Sequence, residues 1–244
     1  MSPQRRDVTV IGAGPAGLTA GIFTARAGLE TVVLRGGEPI LRRNAHLENV
    51  PGFPAGLNAR RYLDLTREQA ERNGCRVRDG TVTRVEPTAD GHLIETDAGE
   101  TLRSEYVICA SWADSEYLAG VDGVGLTTRG SKTYVDVDAD GFTGVDGLYA
   151  AGRIAGEPHQ TVVVAGHGAK VGLSVIHDSA VPFYHDWVAP EGYFTGRGRE
   201  VPPGCEEIDD DERRRREDET LAAMQDAFDD RHPEGPTQHP SVEE

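Results

Sequence analysis

An α/β fold with a parallel sheet is predicted by three observations. The first is the run Val8-Thr-Val-Ile-Gly-Ala-Gly-Pro-Ala-Gly17, an apolar strand that breaks directly into a Gly-x-Gly-x-x-Gly turn. The second is its continuation, a small-residue helix from Ala16 to Ala27 and a second strand, Thr31-Val-Val-Leu34. Together these make a β-α-β unit of about 30 residues. The third is a pair of apolar strands further along, Glu105-Tyr-Val-Ile-Cys-Ala110 and Gly147-Leu-Tyr-Ala-Ala151, of the kind that parallel sheets bury on both faces.

Each element has its local reason. Gly12 allows the tight turn, Gly14 has no Cβ to keep a pyrophosphate from the backbone, and Gly17 lets the helix pack close to the strand. The helix starting near Pro15 points its first amides and the positive end of its dipole at the same place. The turn therefore implies a bound dinucleotide, with a ligand-free glycine turn as the alternative. Residues 35–57 read as irregular, with Gly36-Gly37 and the turn Pro51-Gly-Phe-Pro54. A helix is predicted from Ala59 to Asn73, with Leu63, Ala70 and the stem of Arg67 on one face and Gly74 as its stop. Four short strands follow, at 75–78, 80–87, 92–96 and 101–103. The turns Ala89-Asp-Gly91 and Asp97-Ala-Gly99 make them an antiparallel meander. A loop-rich stretch leads to Tyr134-Val-Asp-Val137, the turn Ala139-Asp-Gly141, the strand at 147–151 and a small-residue helix over 161–178.

Beyond Ser179 the character changes. Residues 182–204 are aromatic and rich in Pro and Gly, and read as irregular. Residues 209–230 form a charged helix with a thin stripe, Leu221, Met224 and Phe228, that reads as a docking face onto this chain or a twin. The block Arg213–Arg216 is flanked by acids and reads as a solvated, salt-bridged face rather than a nucleic-acid patch. The expected organisation is a nucleotide-binding domain over 1–180, an arm with the charged helix over 181–231, and a disordered tail over 232–244.

Composition narrows the function classes. With 244 residues and 37% hydrophobic content the chain supports one good core. A net charge of -16 repels nucleic acid and anionic membrane alike. There are 41 acids, and among the 25 cations the only lysines are Lys132 and Lys170. That bias resembles proteins adapted to high salt, such as those of haloarchaea; ordinary acidity with GC-rich codon use is the other reading. Cys75, Cys109 and Cys205 are far apart, so no Cys-x-x-Cys dithiol or zinc knuckle is present and no metal site is expected. Neither a signal peptide nor an apolar run of membrane length is seen, and a cytoplasmic protein is expected.

Three separated motifs carry a resemblance. They are Gly12-Ala-Gly-Pro-Ala-Gly17; Glu48-Asn-Val-Pro-Gly-Phe-Pro54; and Gly147-Leu-Tyr-Ala-Ala-Gly152 continuing through His159-Gln-Thr161 into Ala165-Gly-His-Gly168. In this order, across roughly residues 7–178, they resemble the FAD domain of the thioredoxin reductase family within the pyridine nucleotide-disulfide oxidoreductase superfamily. The resemblance implies a Rossmann-like FAD/NAD(P)-binding fold with a C-terminal extension, FAD as cofactor and a homodimer. It implies a cofactor-binding set of Gly12, Gly14, Pro15, Ala16, Gly17, Arg35, Asn49, Val82, Ala110, Ser111, Gly152, Arg153, Gln160 and Thr161. The helix at 161 would point its N-terminus at the N1/C2 carbonyl edge of the flavin. Glycines 166, 168 and 172 inside that helix imply close approach of a ring or backbone, or tight packing without ligand.

The chain departs from the family in ways that shape the expected function. The interval between Ala110 and Tyr134 is too short for the family's NADPH domain, and the redox dithiol is absent. Arg35 stands where dinucleotide folds often place a ribose-binding acid; it can accept a 2′-phosphate, stack on adenine or pair with the pyrophosphate. Arg153 stands where the family has the Asp that binds the ribityl chain; it can reach a phosphate or neutralise reduced-flavin charge. His46 and His159 are candidates for proton shuttling, or hydrogen-bonded loop residues; His167 reads as structural. Trp112 either caps the cofactor or is a hydrophobic anchor. The expectation is a small FAD-dependent oxidoreductase that takes electrons from an external donor and passes them to an external acceptor. The alternatives are a non-catalytic FAD- or adenine-nucleotide-binding structural or sensor module, and an NADP-binding protein.

Overall fold

The structure, a computed structural model, describes residues 4–239 and 241–242. It is an α/β domain with a C-terminal arm. Strands β1 (Gln4–Ile11), β2 (Thr31–Arg35), β3 (Arg76–Asp79), β4 (Val82–Thr88), β5 (Gly91–Thr96), β6 (Thr101–Cys109) and β9 (Leu148–Ala150) form one seven-stranded sheet. Its order is β3-β2-β1-β6-β5-β4, with β9 on β6. The β1–β2, β2–β3, β1–β6 and β6–β9 pairs are parallel; β4–β5 and β5–β6 are antiparallel. Helices α1 (Pro15–Arg26), α2 (Ala59–Arg72) and α3 (Thr161–Asp178) complete the domain.

Strand alternation splits the core into two layers. Val8, Val10, Val33 and Ile108 point to one face, where they meet Leu18, Leu63, Val171 and Val175 of the helices. Ile11, Val32, Leu34, Val107 and Cys109 point to the other, against Val85 and Ile94 of the meander and the short turn that holds Tyr117 and Leu118.

Two strand expectations are corrected. The segment at 75–78 belongs to the parallel part, because β3 continues the β1–β2 register and extends the sheet beyond β2. The strands expected at 101–103 and 105–110 are one, β6. Its first half pairs with β5, its second half with β9, and β1 runs along both. The loop-rich interval before Tyr134 also holds a hairpin, β7 (Leu126–Arg129) and β8 (Lys132–Val135), turning at Gly130-Ser131. In α2 the buried arginine is Arg60, not Arg67, which is partly exposed and paired with Glu71.

The arm is not wholly irregular. β10 (Trp187–Pro190) pairs in parallel with β11 (Cys205–Ile208). Glu207 fastens the aromatic turn between them, accepting from the Gly192 amide at 3.1 Å and from the Thr195 amide and hydroxyl at 3.0 and 2.7 Å. Arg26 of α1 ties the arm down through Asp186. The charged helix α4 (Asp210–Phe228) buries no residue and is laced by pairs such as Arg213–Glu217 and Arg215–Glu212. Within the described part of 232–244, the His232 side chain is 5% exposed with Nε2 2.8 Å from Asp64, and Glu234 pairs with Arg42. No described helix is long and apolar enough to cross a membrane. Among the described residues no cluster of three or more His, Cys, Asp or Glu could hold a metal.

Candidate dinucleotide site

A cavity of about 770 Å³ opens where β1 and β6 end. Its floor is the glycine turn. Gly12 sits at φ +112°, and a Cβ there would lie 2.4 Å from the carbonyl oxygen of Ala110. A Cβ on Gly17 would lie 1.9 Å from the Gly12 oxygen, so α1 can rise from the turn only over a glycine. A Cβ on Gly14, by contrast, would meet nothing within 4 Å and would project into open space at the cavity wall. Gly14 is the N-cap of α1; no side chain caps that end, and its first turn holds no acid. The N-terminus of α3 at Gln160 is likewise uncapped and without an acid in its first turn. Two sets of free helix amides thus border one cavity. A molecule with a phosphate group in its middle and an electron-rich edge at one end fits that donor set, as FAD would.

The structure sorts the sequence-derived candidates. Gly12, Gly14, Pro15, Ala16, Asn49, Val82, Ala110, Ser111, Arg153, Gln160 and Thr161 line the cavity, as do His46, His159 and Trp112. Asn49 Nδ2 donates to Gln160 Oε1 at 2.8 Å, joining the second and third motifs directly. His46 Nδ1 lies 2.8 Å from Glu48 Oε1, and both side chains are exposed. His159 is exposed and meets the Trp112 ring edge-on at 5.7 Å.

Three candidates do not line it. Gly17 lies beneath the turn. Arg35 is turned to Asp79, with Nε 2.6 Å from Oδ1, and to Glu38. The parallel β2–β3 register, which places Asp79 beside Arg35, explains this. The bond raises the pKa of Arg35 and lowers that of Asp79. Gly152 spends its amide on Nδ1 of His167 at 2.9 Å, and a Cβ there would lie 2.6 Å from the Ala16 Cβ; its role is close packing. His167 is structural as read, and burial lowers its pKa, consistent with the neutral ring that this bond requires. The glycines of α3 are explained by helix packing: a Cβ on Gly168 would lie 2.1 Å from the Ala16 oxygen, and one on Gly172 3.1 Å from the Phe23 Cβ, whereas Gly166 faces open space.

Arg153 lines the cavity with its guanidinium 5.0 Å from the Tyr134 ring centroid. It donates to Tyr134 Oη at 2.6 Å and to the Glu157 carbonyl at 3.1 Å, while its buried Nε has no partner.

Several lining residues lie outside the sequence-derived set. Glu38 and Arg43 stand beside the turn end, Thr81 beside Val82, and Tyr117 behind Ser111. Glu38 was within reach of sequence reasoning, as an acid about 20 residues past Gly17. Arg60 was not. It is 1% exposed and donates to the carbonyls of Arg42, Asn44 and Ala45 at 2.8, 2.8 and 3.2 Å. It thereby shapes the loop that presents Arg43, Asn44 and His46. Two of the three thiols are inert: burial pushes Cys75 and Cys109 up to about 12.

Residues 6–124 match the family described as pyridine nucleotide-disulphide oxidoreductase. The thioredoxin reductase of Aquifex aeolicus (strain VF5) is 40% identical over 109 residues, 44% of this chain and 34% of that protein. That of Streptomyces clavuligerus is 32% identical over 150 residues, 60% of this chain and 47% of that protein. The chain thus spans between a third and a half of the length of these relatives. Among solved structures, thioredoxin reductase from Streptococcus pyogenes MGAS5005 aligns with a TM-score of 0.65 at 13% identity, over 72% of this chain and 98% of that one. A thioredoxin reductase from Gloeobacter violaceus aligns with a TM-score of 0.63 at 19% identity, over 74% and 99%. At such identities the structural likeness speaks for the fold. The chain is thus similar to the pyridine nucleotide-disulphide oxidoreductase family over residues 6–124, and it is thioredoxin reductase-like in sequence and in fold.

Proposed function

We propose that the protein binds FAD in this cavity and acts as an oxidoreductase supplied with electrons from outside. The observation that carries the proposal is the meeting of two uncapped helix N-termini, those of α1 and α3, at one cavity. The α1 amides and Gly14 would hold the pyrophosphate. The α3 amides would favour negative charge at the ring edge they face. Bound FAD supplies the electron-transfer chemistry that side chains lack. The bonded Asn49–Gln160 pair would orient the ring, and His159, exposed at the opening, can hold or release a proton there.

An external donor is supported by the interval between β6 and β9, which holds a short 3-10 turn and the β7–β8 hairpin rather than a second nucleotide fold. An external acceptor is supported by the buried Cys75 and Cys109. A homodimer is part of the same proposal. The stripe Leu221, Met224 and Phe228, 59%, 37% and 45% exposed, is available to a twin. The net charge of -16 suits work at high salt in the cytoplasm.

The absorbance spectrum of the purified protein tests the reading. Visible flavin bands that survive gel filtration are expected. A protein that is colourless, and stays so after incubation with FAD at multimolar salt, refutes it. A second reading, a non-catalytic flavin or nucleotide module, is favoured by Arg153, whose guanidinium is engaged by Tyr134 and Glu157. Reduction of bound flavin by NAD(P)H or dithiols with turnover on an acceptor argues against that module. The NADP reading is less favoured, since Arg35 pairs with Asp79 and does not line the cavity.

A further inference from the structure

The segment that follows α4 is held more firmly than α4 itself. The helix buries no residue. It lies along α2 in the opposite sense: Glu219 pairs with Arg72 near the end of α2, and the Phe228 ring lies 6.0 Å from the Arg61 guanidinium near its start. Beyond the helix the anchoring changes. Arg61 Nη2 donates to the Asp230 carbonyl at 2.8 Å. The His232 side chain, 5% exposed, is held at both ring nitrogens. Its Nδ1 accepts from the Glu234 amide at 3.1 Å, which leaves a proton on Nε2 to be donated to Asp64 at 2.8 Å. The Glu234 carboxylate then pairs with Arg42, and the Thr237 amide donates to the Arg42 carbonyl at 3.4 Å.

Arg42 belongs to the rim of the cavity. It sits in the 3-10 turn Ile40–Arg43, which buries none of its residues, and its neighbours Leu41, Arg43 and Asn44 line the cavity. Its Nε reaches Glu38, another lining residue, at 2.6 Å, and its carbonyl also accepts from Arg60 at 2.8 Å. Arg42 thus has two acids, one at the cavity and one on the tail. Arg129, 5.7 Å from the Tyr134 ring centroid, has none among the described residues. The second acid has a physical reason. Burial, and then the neighbouring Arg42 charge, lower the pKa of Arg60. Each acid on Arg42 therefore eases the buried cation that shapes the same loop.

We propose that residues 229–237 are a strap that fixes the cavity rim through Arg42, and that its release opens the cavity for exchange of the bound molecule. A turn that buries nothing has little of its own to keep it shut, and segments of that kind open locally well before the core unfolds. The strap adds ties at the one rim residue that also holds Glu38. Its ion pairs are partly exposed, so each contributes little and the strap can come away without the core. That the bound molecule is FAD rests on the proposed function; the strap does not.

Hydrogen–deuterium exchange of the full chain tests this at the amides of Arg42 and Asn44, which donate to the carbonyls of Pro39 and Leu41. In H232A/E234A their exchange should quicken by about fivefold or more, as loss of about one net hydrogen bond implies, while β1 and α1 keep wild-type rates. H232Q, whose amide still donates to Asp64, should keep the rim slow. E219Q, which removes the α4–α2 pair upstream of the strap, should leave it unchanged. Flavin release on dilution, followed by its fluorescence, should quicken in H232A/E234A and not in E219Q. The proposal is overturned by wild-type exchange at Arg42 and Asn44 in H232A/E234A, by equal quickening in E219Q, or by quickening that spreads to β1 and α1. It is overturned too by protection that grows with protein concentration, the mark of a tail lent by a second copy, and by a faster rim from which flavin leaves at the wild-type rate. In a protein without flavin bands the FAD reading fails, and the exchange comparison still decides the strap.

Discussion

Alanine at Gly168 and alanine at Gly166 should move stability in opposite directions. Both sites lie inside α3, where glycine costs about 1 kcal/mol relative to alanine. At Gly166 an added Cβ meets nothing within 4 Å, so G166A should collect most of that gain, about 0.5–1 kcal/mol. At Gly168 the Cβ would sit 2.1 Å from the Ala16 oxygen, 2.8 Å from its carbonyl carbon and 2.9 Å from its Cα, whereas ordinary contact begins at 3.4 Å. These are backbone atoms of α1, so no rotamer change relieves the clash, and α3 must withdraw by more than an ångström. Overpacking of this kind costs about 1–3 kcal/mol or more. A net loss of about 2 kcal/mol is expected for G168A after its propensity gain. Urea unfolding followed by circular dichroism reads both. The two midpoints should lie on opposite sides of wild type with the slope unchanged. Shifts of the same sign, or a G168A midpoint equal to wild type, refute the packing argument. Because Ala16 lines the cavity, G168A should also weaken retention of flavin.

Three further outcomes are expected. Gly14→Val keeps an allowed backbone, φ -82° and ψ -177°, and finds open space, so the fold should persist while flavin is lost; a G14V protein with full flavin absorbance after gel filtration refutes the cradle. Replacing Arg60 by Met removes three bonds from a charged donor, partly offset because no charge is then buried. A loss of about 2 kcal/mol is expected, with a looser 42–46 loop and weaker flavin retention; unchanged denaturation and unchanged flavin content count against it. Burial lowers the pKa of His92 and of His167. Each neutral ring therefore contributes stability that is complete above the unfolded value near 6.5. It is lost by up to about 1.4 kcal/mol per pH unit as pH falls through the depressed folded value. The difference in unfolding free energy between wild type and H92Q should narrow from pH 7 to pH 5, and a constant difference contradicts the assignment.

Much of the site was legible because its chemistry is local. The glycine spacing at 12–17, the Asn49 loop and the strand-to-helix passage at 147–161 each encode a backbone shape within a few residues. All three reach one cavity. The expectations that the structure changes depend on partners distant in sequence. Thr101–Cys109 reads as two strands because its neighbours change from β5 to β9 halfway along, and periodicity does not report neighbours. Arg35 reads as a ligand for phosphate or adenine, and the β2–β3 register, which no local pattern reports, sets Asp79 beside it. Gly152 reads as a cofactor contact until Ala16 and His167 take up its space and its amide.

By itself the sequence determined that this is a dinucleotide-type α/β domain of the thioredoxin reductase-like kind, because turn glycines and apolar alternation act over short range. Only the tertiary structure decided which cations are neutralised and which are left open. Ion pairing and close packing are set by register and by contacts between remote segments. Arg35 and Arg129 are chemically alike in the sequence, and they differ only in what the fold brings beside them.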